Sequence, residues 1–363
     1  MQGPSATEFT ESDDMLIALQ FIVCAVLIGL AGFELSRSAH VISIRTGLSG
    51  SWIGLALLAS VTSLPELVIG ITSVTVAQAP NIAVGNALGS CALNLLFLVL
   101  IDVLSKPQTV WSRASSEHVL TAAFSVLLLG LALSGLLLSQ VARAHGRELS
   151  VFVAQWGFDM ASPVIFGLYF LALRTLWVQQ QTLSVPLDRS AARAALQDAA
   201  DAARLGLSAA LVRFALAAAV VLAAGVWLPF VAVELSAELG LSRSFVGTLL
   251  VAVVTTLPEL VVTLSALRLG AVDMAVGNLL GSNLFNVSII AVDDFFYRKG
   301  SLLADVSPVH AVTAGMALSM TGLVIVGLVL RPQTRVLRTA AWVSLGLAAL
   351  YLLNTHVLFD YGD

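Results

Sequence analysis

Long apolar stretches follow one another along the chain, separated by short polar breaks. Ten of them reach the ~20 residues that a helix needs to cross a bilayer. They cover 15–37, 50–76, 81–104, 117–139, 161–179, 207–233, 244–267, 271–293, 309–330 and 336–357. Each is too long and too uniformly apolar for a barrel strand. The pattern therefore predicts an all-α polytopic membrane protein with ten transmembrane helices. The one long polar interruption, 180–206, falls after the fifth span, and its part from Ser190 to Leu205 reads as a short surface helix. The expected organisation is a tail (1–14), a five-helix half (15–179), a loop (180–206), a second five-helix half (207–357) and a tail (358–363).

Composition agrees and removes whole classes of function. Hydrophobic residues make up 58% and charged residues 11% of the 363 positions, against ~25% charged in soluble domains. A soluble enzyme, a disordered chain and a nucleic-acid binder are excluded. Cys24 and Cys91 both lie in apolar runs, so neither a disulfide framework nor a multi-cysteine metal cofactor is expected. No other cofactor is implied. Residues 1–14 are acidic and lack the basic region of a cleaved signal. With the N-terminus outside, thirteen of the 18 Lys and Arg residues, Arg45, Arg113 and Arg335 among them, face the cytoplasm. Both termini are then extracytoplasmic and 180–206 is cytoplasmic. The loops are short, so the lipid bilayer is the expected partner and no protein partner is required.

The two halves repeat. Residues 47–68 align without gaps on 240–261, with 14 of 22 positions identical, and 84–94 align on 276–286 with seven of 11 identical. The same register pairs Asp102 with Asp294 and His118 with His310. Five spans per half is an odd number, so the second half must run in the opposite sense through the membrane. Inverted-topology repeats are a plan of secondary transporters, whose substrate site lies at the repeat interface.

The repeated blocks carry chemistry suited to a hard cation. Glu66 and Glu259 each sit inside an apolar helix with no Lys or Arg nearby in the span. A charge at the bilayer centre costs about 2.5–3.5 kcal/mol on insertion scales. The two carboxylates must be protonated or hold a cation, and together they match one divalent charge. Pro65 and Pro258 precede them, and proline frees the carbonyl four residues back. Thr62, Ser63, Thr255 and Thr256 add hydroxyls within a turn of each Glu; Asn94, Asn286, Ser90 and Ser282 add oxygens from the next helix. Calcium takes six to eight such oxygens, and soft-metal ligands are scarce here. Ser63 and Thr256 can instead bond back to their own helices, and the Asn pair can simply join helices. Gly85/Gly89 and Gly277/Gly281 are GxxxG steps that let helices approach closely. Asp102 and Asp294, at helix ends, read as solvated or capping acids outside the site. Duplication of every ligand position argues against catalysis, which needs an asymmetric acid and base.

These blocks, Thr62-Ser63-Leu64-Pro65-Glu66 with Gly85-Asn86-x-x-Gly89-Ser90 and Thr255-Thr256-Leu257-Pro258-Glu259 with Gly277-Asn278-x-x-Gly281-Ser282-Asn283, resemble the two alpha-repeats of the sodium/calcium exchanger family. The resemblance is strongest over 47–94 and 240–286. It implies an antiporter, not an enzyme, that exchanges Ca2+ for Na+ by alternating access. It makes Glu66 and Glu259 the central carboxylates. Thr62, Thr255, Asn94, Asn286, Ser63, Thr256, Ser90 and Ser282 complete the cluster, and Ala59 and Ala252 match positions that offer backbone carbonyls to Na+. Spans one and six become the sliding pair that switches access. Val61, Val254, Cys91 and Asn286 depart from the usual family pattern, and H+ is the alternative coupling ion. A small exchanger without a calcium-sensing insert fits a prokaryotic inner membrane.

Overall fold

A computed structural model describes residues 11–45, 60–145, 157–182, 206–268, 270–336 and 339–362. These residues form helices, with one isolated antiparallel bridge between Val336 and Ala340. The principal helices are α1 (Glu11–Arg45), α2 (Leu64–Thr75), α3 (Pro80–Leu104), α4 (His118–Ala144), α5 (Ala161–Thr182) and α6 (Leu207–Glu238). The second half continues with α7 (Arg243–Thr255), α8 (Leu257–Arg268), α9 (Val272–Phe296), α10 (Val309–Leu330) and α11 (Trp342–Tyr361). Two one-turn helices, Val110–Arg113 and Leu302–Asp305, follow α3 and α9.

Eight of the described helices are long and apolar enough to cross a membrane, and the bent pair α7–α8 makes a ninth. The second expected span, 50–76, is described only from residue 60, and α2 is too short to cross alone. The surface helix expected over Ser190 to Leu205 also lies outside the described residues.

Polarity is arranged as in a bilayer. Leu19, Ile22, Leu30, Leu211, Leu216 and Leu352 are exposed, while Glu66, Asn94, Glu259, Asn286 and Asp294 are fully buried. Helices α3 and α9 lie at the centre, packed on each other and flanked by α4 and α10. Helices α1 and α6 pair along their length at the periphery. They touch the core through glycines. A Cβ at Gly32 would lie 2.3 Å from the Pro258 ring, and one at Gly225 would lie 2.7 Å from Val68.

Several boundaries differ from the sequence pattern, at both ends of the chain among others. Helix α1 runs on to Arg45, eight residues past the expected end, and Val41 of this extension packs against Ala210 of α6. The last helix begins at Trp342 rather than 336, and it extends through the expected tail to Tyr361. Its late start has a remote cause. Asp102, at the end of α3, accepts hydrogen bonds from the Ala341 N–H and the Ser344 hydroxyl, both at 2.7 Å. Arg335 holds the preceding segment by donating to the carbonyls of Asp102, Ser105 and Gln108.

Asp102 and Asp294 are therefore buried capping acids, not solvated ones. Asp102 also caps the one-turn helix at Val110 N, at 2.9 Å. Asp294 repeats the arrangement: it accepts from Leu302 N, Asp159 N and the Ser162 hydroxyl, at 2.5–2.7 Å. Each carboxylate thus satisfies the free N–H groups of two helix starts, which otherwise lack partners. His310 is likewise fully buried. Asp102→Ala and Asp294→Ala should each destabilise the protein by about 2–4 kcal/mol, the sum of two lost caps and a buried hydroxyl's partner. A clear drop of Tm in detergent checks this; an unchanged Tm in either variant contradicts the capping role.

Candidate cation site

Two interrupted helices build the centre. Ser63 and Thr256 both leave helical geometry, with φ/ψ of −88°/15° and −83°/3°. That is the bridge region of backbone space, common at functional sites. The cause is local: Pro65 and Pro258, two residues on, have no N–H to continue the ladder. The chain bends by 45° between α7 and α8. A π-helical turn, Val246–Val251, precedes the second break. Helices α2 and α8 restart with Glu66 and Glu259 in their first turns.

Both carboxylates are fully buried, and among the described residues neither pairs with Lys or Arg. Hydroxyls from both halves converge on each. Ser63 donates to Glu259 Oε1 at 2.8 Å, Thr62 also reaches that carboxylate, and Ser282 lies 3.5 Å from the same oxygen. Glu66 Oε1 receives Ser90 at 3.4 Å, and Thr255 reaches Glu66 from the opposite half. Glu66 Oε2 and Glu259 Oε2 have no partner. The Asn94 Oδ1 and both amide atoms of Asn286 are also buried without one. Buried polar atoms are normally hydrogen-bonded. A cluster of orphaned oxygens around two unpaired carboxylates has the makings of a hard-cation site.

Some expected ligands have other partners. The Thr256 hydroxyl donates to its own helix at Ala252 O, at 2.7 Å, and Thr255 donates to the same carbonyl at 3.2 Å. Ala252 O is thus shared among donors. Ala59 lies outside the described residues. Asn94 donates to Asn283 Oδ1 at 3.0 Å, joining α3 to α9. Three residues passed over as candidates belong to this network. Asn86 accepts from Thr255 at 2.9 Å, Asn278 donates to the Glu259 carbonyl at 3.3 Å, and Asn283 donates to the Cys91 carbonyl at 3.2 Å. The repeat identity of Asn86 and Asn278 was the signal for the first two.

The first GxxxG step does not pack against the nearest Glu helix of its own half. Gly85 and Gly89 lie on the π turn of the other half: a Cβ at Gly89 would sit 2.1 Å from Thr248 O. This contact brings Ser90 of α3 to Thr255, at 3.4 Å. Among the described residues no three Asp, Glu, His or Cys side chains converge to hold a metal. The oxygens here are two carboxylates among hydroxyls and amides, a donor set for a weakly held, exchangeable cation.

The model of a family described as "Sodium/calcium exchanger protein" matches residues 16–178 and 209–359. The inner membrane protein YrbG of Escherichia coli K12 is 28% identical over 279 residues, covering 76% of this chain and 78% of its own. The sodium/calcium exchanger MaX1 of Methanosarcina acetivorans is 27% identical over 272 residues, 72% of this chain and 77% of its own. Among solved structures, the H+/Ca2+ exchanger CAX has TM-score 0.66 at 14% identity, covering 94% of this chain and 81% of that one. The sodium-calcium exchanger NCX_Mj has TM-score 0.58 at 20% identity, covering 94% and 98%. At these identities the structures show a shared fold.

The glycine contact is open to test. Gly89→Ala should lower Tm in detergent, by about 1–3 kcal/mol of overpacking against backbone. Gly322→Ala, in α10 with nothing within 4 Å of its new methyl, should leave Tm equal or raised. Equal effects of the two substitutions would contradict the close approach.

Proposed function

This chain belongs to the sodium/calcium exchanger protein family, and from that premise we propose that it exchanges Ca2+ for Na+ by alternating access, with Glu66 and Glu259 as the central ligands. The observation that carries the reading is the pair of buried carboxylates, each with one oxygen held by hydroxyls and one without a partner. Two such groups without a cationic neighbour need two positive charges to remain ionised in a membrane interior. One Ca2+ supplies both, and so do two Na+; two H+ would instead leave the pair as neutral carboxylic acids. Competition of the two loads for the same oxygens is what couples them.

The ten-helix plan with inverted five-helix repeats belongs to this proposal. The matched capping by Asp102 and Asp294, and the crossed supply of hydroxyls between the halves, support it. The polar residues of each half complete the carboxylate of the other. A symmetric core of this kind can favour one side or the other without changing its ligands. Helices α1 and α6, which touch the core at Pro258 and Val68 beside the two breaks, are the sliding pair. Thr62, Ser63, Ser90, Asn94, Thr255, Thr256, Ser282 and Asn286 complete the cation sites, with the carbonyls of Ala59 and Ala252. Both termini face outward, and the host membrane is the inner membrane of a prokaryote, as the name of the Escherichia coli relative supports.

The coupling ion has one alternative. The same two carboxyls can carry H+, and the fold shared with an H+/Ca2+ exchanger supports that second reading. Asn286 bears on the choice, since it is a neutral amide one turn past Ser282, buried with both polar atoms unpartnered.

Glu66→Gln and Glu259→Gln should each reduce 45Ca2+ uptake into proteoliposomes by about 100-fold or more, the loss of a charged ligand from a buried site. Uptake at the wild-type rate in either variant would refute the site. Asn286→Asp should change the Na+ dependence of uptake more than its Ca2+ half-saturation. An unchanged Na+ dependence would remove Asn286 from the ligand set.

A further inference from the structure

Asp293 lies in α9 seven residues beyond Asn286. Seven residues are two turns, so the two side chains share a face about 10 Å apart along the axis. Asp293 is fully buried, and neither carboxylate oxygen has a hydrogen-bond partner. Its neighbour Asp294, by contrast, has its oxygens taken up by two helix starts. Asp293 instead faces α2 at Gly70, where an added Cβ would lie 2.4 Å from Oδ2 and 2.6 Å from Oδ1. Gly70 is one turn past Glu66, and Ser73 follows on the same face. The Ser73 hydroxyl is also fully buried and unpartnered.

Orphaned oxygens therefore form a strip along the facing sides of α2 and α9. It runs from Glu66 and Asn286 at the centre to Asp293 and Ser73. Beyond it, at the ends of the two helices, is a cavity of about 230 Å³ lined by Val74, Thr75, Gln78, Phe296, Arg298 and Lys299. The strip has no counterpart in the other half. The register of the repeats puts Ile101 where α9 has Asp293, and Thr263 and Ala266 where α2 has Gly70 and Ser73. Ile101 packs in an apolar cluster, and Thr263 accepts a hydrogen bond from Asn278 at 3.2 Å.

We propose that Asp293, with Ser73, is a second cation site: a stop for Ca2+ or Na+ between the central cluster and the mouth at the α2–α9 end. The inference rests on the transport reading above. A carboxylate without donors holds its charge in the interior only beside a cation. Glycine at 70 lets both oxygens approach α2, and two oxygens plus a hydroxyl make a site of low coordination. Such a site releases its ion readily to either side. Only one of the two passages has it, so entry from that side gains a ligand that entry from the other side lacks.

The test uses right-side-out and inside-out membrane vesicles of the full chain, with 45Ca2+ flux measured against the Ca2+ concentration at each face. Asp293→Asn should raise the half-saturating Ca2+ at one face by about tenfold, the loss of one charged ligand. The opposite face should be unchanged, and Asp293→Glu should restore much of the loss. No shift, or an equal shift at both faces, overturns the proposal. A changed pH dependence with unchanged half-saturation also overturns it, by assigning Asp293 to a proton. Equilibrium binding of 45Ca2+ to the purified chain gives a readout independent of transport. At millimolar Ca2+ the wild type should bind more ions per chain than Asp293→Asn, and equal binding counts against the site. Absence of flux in wild-type vesicles, with that difference in binding intact, would refute the exchange reading and not this one.

Discussion

The whole arrangement turns on two carboxylates that cannot stay charged where they are without a partner. Glu66 and Glu259 are buried to the last atom, and the side chains around them are hydroxyls and amides rather than lysine or arginine. A permanent internal cation would satisfy them and end their usefulness. On the proposed reading, that place is kept for a cation that comes and goes. Every nearby feature serves the same end. Proline interrupts the helices just ahead of each Glu, and the threonine and serine of one half reach the Glu of the other. Glycine at 85 and 89 lets the two halves meet backbone to backbone.

Acids that brace the frame and acids left without partners are separated by the same chemistry. At the helix ends, Asp102 and Asp294 have all the donors they need, and each ties two helix starts to the core. At the centre, the carboxylates have fewer than they need. Satisfied acids brace the frame; the unsatisfied ones are those proposed to bind. The pair α1 and α6 stands outside this frame and meets it on glycine surfaces beside the two breaks. One side of that pair is exposed and apolar, and the other packs on the core through Ile28 and Leu228 as well as the glycines.

Much of this is legible in the sequence, and the reasons are physical. A carboxylate in a long apolar run is rare enough to be noticed, and its recurrence with the same Thr, Pro and Asn companions points to a shared site. Apolar run length marks the helices well where their ends are ordinary. It misplaces the start of the last helix, because that cap comes from Asp102, 239 residues before Ala341. It also cannot tell a solvated acid from a buried cap, since both stand at helix ends. Asp293 went unnoticed for a different reason. Comparing the repeats favours positions that match, and Asp293 aligns with Ile101. Asymmetry, which tells one side of the membrane from the other, is what a search for symmetry discards. Hydroxyl direction is equally hidden: Thr256 faces its own helix and Ser63 crosses to Glu259, although the repeat makes them equivalent.

The most direct test of cation exchange is 45Ca2+ uptake into proteoliposomes loaded with Na+ and diluted into Na+-free buffer, beside a K+-loaded control at equal internal and external pH. Uptake that needs internal Na+ is the predicted result. Uptake that ignores internal Na+ and follows an imposed pH gradient instead would contradict Na+ coupling, and uptake under neither gradient by folded protein would contradict exchange itself.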